Sequence, residues 1–485
     1  MEQSYISRTS GITMKDKIGY AFGDLASCLV FGLTAGILNS FYTDVLKISV
    51  LGTLIIIVAA RLWDAVNDPI WGRIIQGAKA RPDGRYRHWL KVFAVPVAVA
   101  SILMLLNVSG FPEWARYIWA AFTYVLFGML YTCINIPYGS MAQVMTSDDK
   151  ERSALSVFRS IGSVIGGLPA MLLAMVCYRK VIDEKTGEQL VINNIKITTI
   201  KPTVVLIGVC VIAAFSVLFF FLCHKMTKER VVTHPAPKQK GEAKRVIRAL
   251  LKSRPFMAVS IASMLLLAAQ MFGQGYNLYL FNCYFHMPAL NILPAVFQYL
   301  PVAVIMFFAS KLGNRFGRRE VCSYGVLFSA ACYLLLFVLS VFGVRNIWLY
   351  LFGCLMGGIG TAFMFLLNWI LAADAIDFNR VTYGIDDDAT SYAFFTFTRK
   401  LGQTVATILI NIPLLIIGYD GGRILYENIT TNNLETMYNA SVLIPAILFL
   451  LLFVFLRFVY PLSKKRVEEL QIEKEKILRE ENAAA

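Results

Sequence analysis

The sequence has little charge and no pattern of residues that would indicate catalysis or covalent cross-linking. Only 16% of its 485 residues are charged, whereas soluble domains carry about 25%. Its nine cysteines are scattered, and their spacing indicates neither a zinc site nor a disulfide framework. No nucleophile–base pair stands at a useful spacing, so we do not expect an enzyme. Residues 1–17 lack a small-residue cleavage site, and we therefore expect no removable signal peptide.

Apolar residues are abundant instead, at 57% of the chain, and they form runs long enough to cross a membrane. A helix of about 20 apolar residues spans the bilayer core, and "KPTVVLIGVCVIAAFSVLFFFLC" from residue 201 is one such run. We predict an all-α membrane protein with twelve transmembrane helices. The predicted spans cover residues 18–43, 49–75, 88–110, 115–144, 153–178, 202–223, 255–285, 292–312, 320–342, 346–374, 389–418 and 438–460.

A long basic loop divides the predicted spans into two groups of six. We predict an N-terminal bundle at 1–223, a basic linker at 224–254, a C-terminal bundle at 255–462 and a tail at 463–485. The net charge of +15 is concentrated in short loops, which is typical of cytoplasmic loops rather than of a nucleic-acid-binding face. We therefore expect a multi-pass protein of the inner (plasma) membrane, with both termini cytoplasmic. We expect the protein to contact the lipid bilayer. We expect neither a nucleic-acid partner nor an obligate protein partner.

The turns that follow the second span of each half are alike. "GRIIQGAKARPDGRYR" and "ASKLGNRFGRRE" both place glycine among arginines. Together with the division into six and six, this pattern resembles the loop signature of the major facilitator superfamily. The resemblance implies two six-helix bundles, the major facilitator fold.

The second span, "RLWDAVNDPIWGR", holds two acids in an otherwise apolar helix. Asp64 and Asp68 lie on one helix face, with Asn67 beside them. An ionised carboxylate at bilayer depth costs about 2.5–3.5 kcal/mol, so the pair requires a fixed base, a proton or a metal cation. Because hard cations bind several oxygens, the amide of Asn67 and the hydroxyl of Thr132 favour a cation. We predict a Na⁺ site, with H⁺ as the alternative, formed by Asp64, Asn67, Asp68 and Thr132.

Several stretches resemble the glycoside–pentoside–hexuronide:cation symporters, the melibiose-permease-like family. They are "RLWDAVNDPIWGR", "NIPYGSMAQVMT", "VFRSIGS", "ADAIDF" and "YAFFTFTRKLGQT", and the match runs from about residue 18 to 462. The form of these stretches is most similar to the glucuronide and pentoside branch. The resemblance implies that Asp64 and Asp68 bind the coupling cation. It also implies import of a sugar by symport through alternating access.

The same resemblance indicates four substrate-binding candidates. Arg159 and Lys400 match family positions near the sugar and cation sites, Phe365 matches a position that stacks against the sugar ring, and Tyr138 is a similar candidate. The alternative for Arg159 and Lys400 is that they only neutralise the acids of the second span.

Polar residues on the seventh and tenth spans add further candidates. Gln270 and Gln274 form a polar stripe with Asn277, which could bind sugar hydroxyls or equally hold helices together. On the tenth span Asn368 shares a face with Phe365. We therefore include Gln270, Gln274 and Asn368 in the predicted substrate site.

The sequence departs from the melibiose-type pattern at two acids. Cys28, preceded by Ser27, replaces a sugar-binding carboxylate on the first span, and Asn135 replaces another on the fourth. Asp24, one turn before Cys28, could substitute for the first acid or be structural. Because the site loses two negative charges and keeps its basic residues, we expect it to favour an anionic sugar such as a hexuronide. A neutral pentoside or glycoside stays open, bound through Asn135 and the glutamine stripe of the seventh span. Asp24, Ser27 and Asn135 are included in the predicted substrate site.

Two other functions compete with sugar import. Lysolipid:sodium symporters share the acids of the second span, but they would require an apolar cleft. A sensor that binds sugar without moving it would require a signalling segment, and the sequence offers only the short tail 463–485.

Overall fold

Twelve long helices build the fold, and each overlaps one predicted span. The computed structural model describes residues 11–77, 83–146, 149–180, 191–192, 195–196, 198–230, 242–383, 388–419, 431–470 and 472–473. The long helices are α1 (Met14–Gly36), α2 (Val50–Gly77), α3 (Arg87–Met104), α4 (Glu113–Met145), α5 (Asp149–Val176), α6 (Pro202–Met226), α7 (Arg254–Tyr279), α8 (Leu293–Phe316), α9 (Arg318–Val341), α10 (Ile347–Tyr383), α11 (Asp388–Ile416) and α12 (Thr431–Val454). Short π-helical turns at Phe41–Val45, Leu280–Tyr284 and Phe455–Val459 continue three helix ends.

Most of these helices have the length and composition of membrane spans. Among the described residues, nine helices are long and apolar enough to cross a bilayer. The other long helices include α2 and α11, which carry the charged candidates Asp64, Asp68 and Lys400.

The chain separates into two compact units with the same helix pairing. One unit comprises Met1–Pro237 with Gly418–Asn428, and the other comprises Lys238–Ile417 with Ile429–Ala485. In the first unit α1 packs on α5 and α6, α2 on α4, and α3 on α4 and α6. In the second unit α7 packs on α11 and α12, α8 on α10, and α9 on α10 and α12. This repeat is typical of transporters built from two related halves. The predicted domain boundaries themselves stay a prediction.

Glycines allow the closest helix contact of the first unit. A Cβ added at Gly162 of α5 would lie 2.2 Å from the carbonyl oxygen of Ala21, and one at Gly166 would lie 2.5 Å from that of Leu25. The backbones of α1 and α5 therefore approach closely, as small residues permit in membrane helix pairs. This contact fixes α1 against α5 where both carry candidate polar residues.

Several smaller elements lie outside the twelve helices. Short antiparallel pairs join Tyr178–Lys180 to Thr198–Ile200 and Val191–Ile192 to Ile195–Lys196, between α5 and α6. A helix at Glu242–Lys252, in the predicted linker, buries Val246 and Leu250 against the second unit. The Pro-bearing part of the linker, residues 233–241, lies outside the described residues.

Candidate functional site

The predicted cation ligands meet where α2 packs on α4. The hydroxyl of Thr132 donates to Oδ1 of Asp68 at 2.8 Å and lies 3.0 Å from the carbonyl oxygen of Gly128. A Cβ added at Gly128 would lie only 2.6 Å from Oδ1 of Asp64. Both carboxylates therefore contact the same stretch of α4, and the missing side chain of Gly128 makes room for Asp64.

Asn67 completes the predicted ligand set from within α2. Its side chain is buried, with 3% exposed, and its Nδ2 has no hydrogen-bond partner among the described residues. Most buried polar side-chain atoms in proteins are hydrogen-bonded. Rotation of the amide by 180° would present Oδ1 in the place of Nδ2. The amide is therefore uncommitted at one end, as an oxygen donor to a cation must be.

The chemistry of these donors fits a hard cation. Two carboxylates, an amide and a hydroxyl supply only oxygen ligands, and the Thr132 oxygen keeps its lone pairs while its proton is donated to Asp68. Across the described part of the chain, no three His, Cys, Asp or Glu side chains come together as a metal cluster. The donor set therefore consists of hard oxygen ligands.

Sequence reasoning did not include Arg61, which lies one turn before Asp64. Its guanidinium carbon lies 5.5 Å from the ring centre of Phe31 and 5.9 Å from that of Tyr124. The signal was present in "RLWD", because an intramembrane arginine three residues from an acid shares its helix face. The acid pair therefore has a positive neighbour on its own helix.

The candidate substrate residues of the first unit centre on an ion pair between α1 and α5. Nε of Arg159 lies 3.1 Å from Oδ1 of Asp24, and the side chains are 35% and 10% exposed, respectively. Cys28 Sγ lies 3.2 Å from Ser163 Oγ and 3.9 Å from Asp24 Oδ2. The guanidinium of Arg159 also lies over the ring of Tyr138, 5.4 Å from its centre. These contacts place Asp24 and Arg159 together, one turn from the position of the lost carboxylate.

This ion pair changes the charge count on which the anionic-sugar expectation depends. Asp24 supplies one negative charge beside Arg159, so the surroundings of Arg159 are less positive than the two lost acids alone would suggest. The Arg159 guanidinium is therefore paired with a carboxylate of the protein itself.

Two of the other candidates in the first unit form hydrogen bonds within the protein. Tyr138 is fully buried, stacks on Tyr20 at 4.8 Å between ring centres, and donates to the Tyr20 carbonyl oxygen at 2.8 Å. Ser27 is buried and donates to the carbonyl oxygen of Gly23 in its own helix. Asn135 is half-buried on α4, one turn after Thr132, a predicted cation ligand. Their substrate roles stay predictions.

In the second unit, the polar stripe of α7 binds neighbouring helices. Gln274 Nε2 donates to the hydroxyl of Tyr299 at 3.3 Å, and Asn277 Oδ1 accepts from Tyr350 at 2.7 Å. These bonds favour the helix-joining role that the sequence left open for the stripe. Gln270 is buried on the same helix.

The candidates on α10 and α11 have aromatic and polar neighbours. Phe365 meets the ring of Tyr299 edge-on at 6.1 Å, and the buried Asn368 accepts a hydrogen bond from Ser263 of α7. Lys400 is half-buried on α11. Arg399 lies over the ring of Trp369, 4.6 Å from its centre. The predicted role of Lys400 stays a prediction.

Comparison with known proteins assigns the family. The MFS/sugar transport protein family matches residues 19–464, from α1 to beyond α12. The chain belongs to this family. Among its relatives, the uncharacterized symporter YjmB of Bacillus subtilis is 28% identical over 418 residues, 84% of each chain. The glucuronide carrier protein homolog of Escherichia coli K12 is 26% identical over 459 residues, 94% of each. The nucleoside transporter NupG shares the fold, with a TM-score of 0.61 at 13% identity over 92% of this chain and 100% of its own.

Membership of the MFS/sugar transport protein family confirms several predictions. The chain is an all-α, multi-pass membrane protein of the major facilitator fold, and it is a sugar transporter rather than an enzyme. The predicted resemblance to glycoside:cation symporters is confirmed as well. The sugar, the coupling ion and the ligand residues stay predictions.

Proposed function

We propose that the protein imports an acidic glycoside, such as a hexuronide, in symport with Na⁺. The observation that carries the proposal is the contact of α2 with α4, where Asp64 and Asp68 meet Gly128 and Thr132. We place the protein in the inner membrane with both termini in the cytoplasm, because its basic loops follow the positive-inside bias.

The cation is needed because the two carboxylates of Asp64 and Asp68 raise the energy of the carrier when no cation is bound between them. Two carboxylates one helical turn apart, at about 6 Å, repel each other by about 3 kcal/mol at an effective dielectric constant of about 20. Arg61 offsets part of this charge from the same helix. A bound Na⁺ would neutralise the rest, so that the loaded carrier reorients at a lower energy than the empty carrier with its net negative charge. Alternating access then transports cation and sugar together.

The acidic sugar is favoured by Arg159. The guanidinium already forms an ion pair with one carboxylate, that of Asp24. Charge-assisted pairs of this kind are stronger than neutral hydrogen bonds. A relative covering 94% of this chain is named as a homolog of a glucuronide carrier. A neutral glycoside would use the amides and hydroxyls of the site without engaging this charge.

The test is uptake into proteoliposomes with labelled methyl glucuronide and methyl glucoside. An inward Na⁺ gradient at fixed pH should drive accumulation of the glucuronide, and replacing Na⁺ with K⁺ should abolish it. The double variant Asp64→Asn/Asp68→Asn should lose accumulation, whereas Glu113→Gln, an exposed acid at the start of α4, is the matched control. Undiminished accumulation in the double variant would refute the cation site.

A second variant tests the sugar class. Arg159→Gln should weaken glucuronide uptake by about 10–100-fold, since a hydrogen bond to a charged group contributes about 1.5–3 kcal/mol. Asp24→Asn should be combined with it, so that no unpaired carboxylate is left buried. Wild-type glucuronide uptake by this double variant would refute the acidic-sugar proposal while leaving Na⁺ symport intact.

A further inference from the structure

The ion pair between Asp24 and Arg159 has a consequence for any acidic substrate, and this inference rests on the proposed function. The Asp24 side chain is only 10% exposed, and its contact with Arg159 makes the pair neutral overall. A sugar carboxylate that binds Arg159 brings a second negative charge to the same guanidinium. Asp24, Arg159 and the sugar carboxylate then carry a net charge of −1 next to the largely buried Asp24 side chain.

Few groups near Asp24 could accept a proton to remove this charge. The neighbours on α1, α4 and α6 are phenols and thiols, which are already neutral. α5 contributes Arg159 and the hydroxyl of Ser163. Among the residues that the structure describes, the titratable and charged groups near Asp24 are Cys28, Tyr131, Tyr138 and Arg159. Tyr20 and Cys223 lie next to Tyr138. Asp24 is the only carboxylate in this described set.

We propose that Asp24 is a proton-binding site linked to the substrate, which takes up one proton when an anionic sugar engages Arg159. The proton comes from the aqueous side from which the sugar enters. It adds to Oδ1 or Oδ2 of Asp24 without breaking another bond. The pair then changes from carboxylate and guanidinium to carboxylic acid, guanidinium and sugar carboxylate, and both arrangements are neutral.

The cost of buried charge explains why the proton should follow the anion. An unpaired carboxylate with little exposure loses its hydration and has no compensating partner, so protonation is favoured over ionisation there. A neutral sugar leaves the Asp24–Arg159 pair charge-balanced and therefore requires no proton. Acidic and neutral glycosides should thus differ in proton stoichiometry on one carrier, in addition to the Na⁺ bound at Asp64 and Asp68.

Calorimetry on the full chain in lipid nanodiscs tests this directly. Methyl glucuronide and methyl glucoside, which differ only in carboxylate against hydroxymethyl, are titrated at pH 7.5 and saturating Na⁺. Each titration is repeated in phosphate and in Tris, because the dependence of the binding heat on buffer ionisation counts the protons exchanged. The glucuronide should take up about one proton and the glucoside about none. Raising the pH should weaken glucuronide binding by up to about tenfold per unit.

Asp24→Asn provides the matched variant. It should abolish proton uptake with the glucuronide and remove the pH dependence of its binding. Glucuronide binding without proton uptake in the wild type would overturn the inference, as would unchanged uptake in Asp24→Asn. The wild-type comparison of the two sugars decides the matter even if the variant does not fold. Complete absence of glucuronide binding would instead refute the proposed acidic substrate, and with it this inference.

Discussion

Replacing Gly128 with alanine should specifically weaken the cation site. The added Cβ would lie 2.6 Å from Oδ1 of Asp64, whereas ordinary van der Waals contact begins at 3.4 Å. The carboxylate or the helix must therefore move by about 0.8 Å, beyond the roughly 0.5 Å tolerance of a preorganised site. Alanine otherwise favours a helix interior over glycine by about 1 kcal/mol, so a loss of binding cannot be ascribed to a weaker α4.

We expect Gly128→Ala to lower Na⁺ affinity by about 10–100-fold, the range seen when groups that position metal ligands are altered. The assay is the rise in thermal unfolding temperature of the purified protein as Na⁺ is titrated without sugar, since a ligand that binds only the folded state stabilises it by mass action. Uptake driven by a Na⁺ gradient should require correspondingly more Na⁺.

Gly139→Ala is the matched control on the same helix. A Cβ at Gly139 would meet nothing within 4 Å. The Na⁺ affinity of the Gly139→Ala variant should therefore equal that of the wild type. If Gly128→Ala binds Na⁺ as the wild type does, or if both variants lose affinity equally, then Asp64 is not a ligand held in place by α4.

Two further predictions concern single hydrogen bonds. Thr132→Val removes the donor to Asp68 and should weaken Na⁺ binding about tenfold or more, whereas Thr132→Ser should retain it; equal Na⁺ titrations of the two variants would contradict this. Asp44, beyond the end of α1, accepts from Tyr419 at 2.7 Å, and burial raises the pKa of its carboxyl above the usual 3.8. Because the folded state holds this proton more tightly, its contribution to stability is present below pH 3.8 and is lost as the pH rises through the raised pKa. Asp44→Asn should therefore flatten the fall of unfolding temperature with pH, and parallel curves for the two proteins would refute this.

The fold could be predicted because each transmembrane helix needs about 20 predominantly apolar residues, which form a continuous run in the sequence. The boundaries were less certain, since helices continue past the apolar part. α10 runs to Tyr383, although the predicted span ends at residue 374. The short pairings that include Tyr178–Lys180 were missed because they depend on two segments about twenty residues apart. The contacts of Asp64 and Asp68 with Gly128 and Thr132 of α4 were predictable only in part, from spacing within α2.

Other features of the site required knowledge of packing. Gly128 carries no chemistry of its own, and only its position against Asp64 gives it a role. The sequence could identify Asp24 and Arg159 as intramembrane charges but could not pair them, because they lie on different helices. The ion pair lowers the net positive charge expected around Arg159. A count of charges along the sequence does not show this, because it does not place Asp24 beside Arg159.

The first unit offers a physical route by which cation and sugar binding influence each other. Arg61 lies on α2 one turn before Asp64, and its guanidinium lies over the rings of Phe31 on α1 and Tyr124 on α4. Arg61 therefore lies between the predicted cation ligands and α1, the helix that carries Asp24. When a cation neutralises the acid pair, the attraction of Arg61 to Asp64 weakens, and its field can act more strongly toward the sugar site. An acidic sugar at Arg159 would in turn draw positive charge away from the acid pair, which favours the cation. Thermodynamic linkage requires the two effects to be equal in size, so the increase in Na⁺ affinity with sugar must match the increase in sugar affinity with Na⁺.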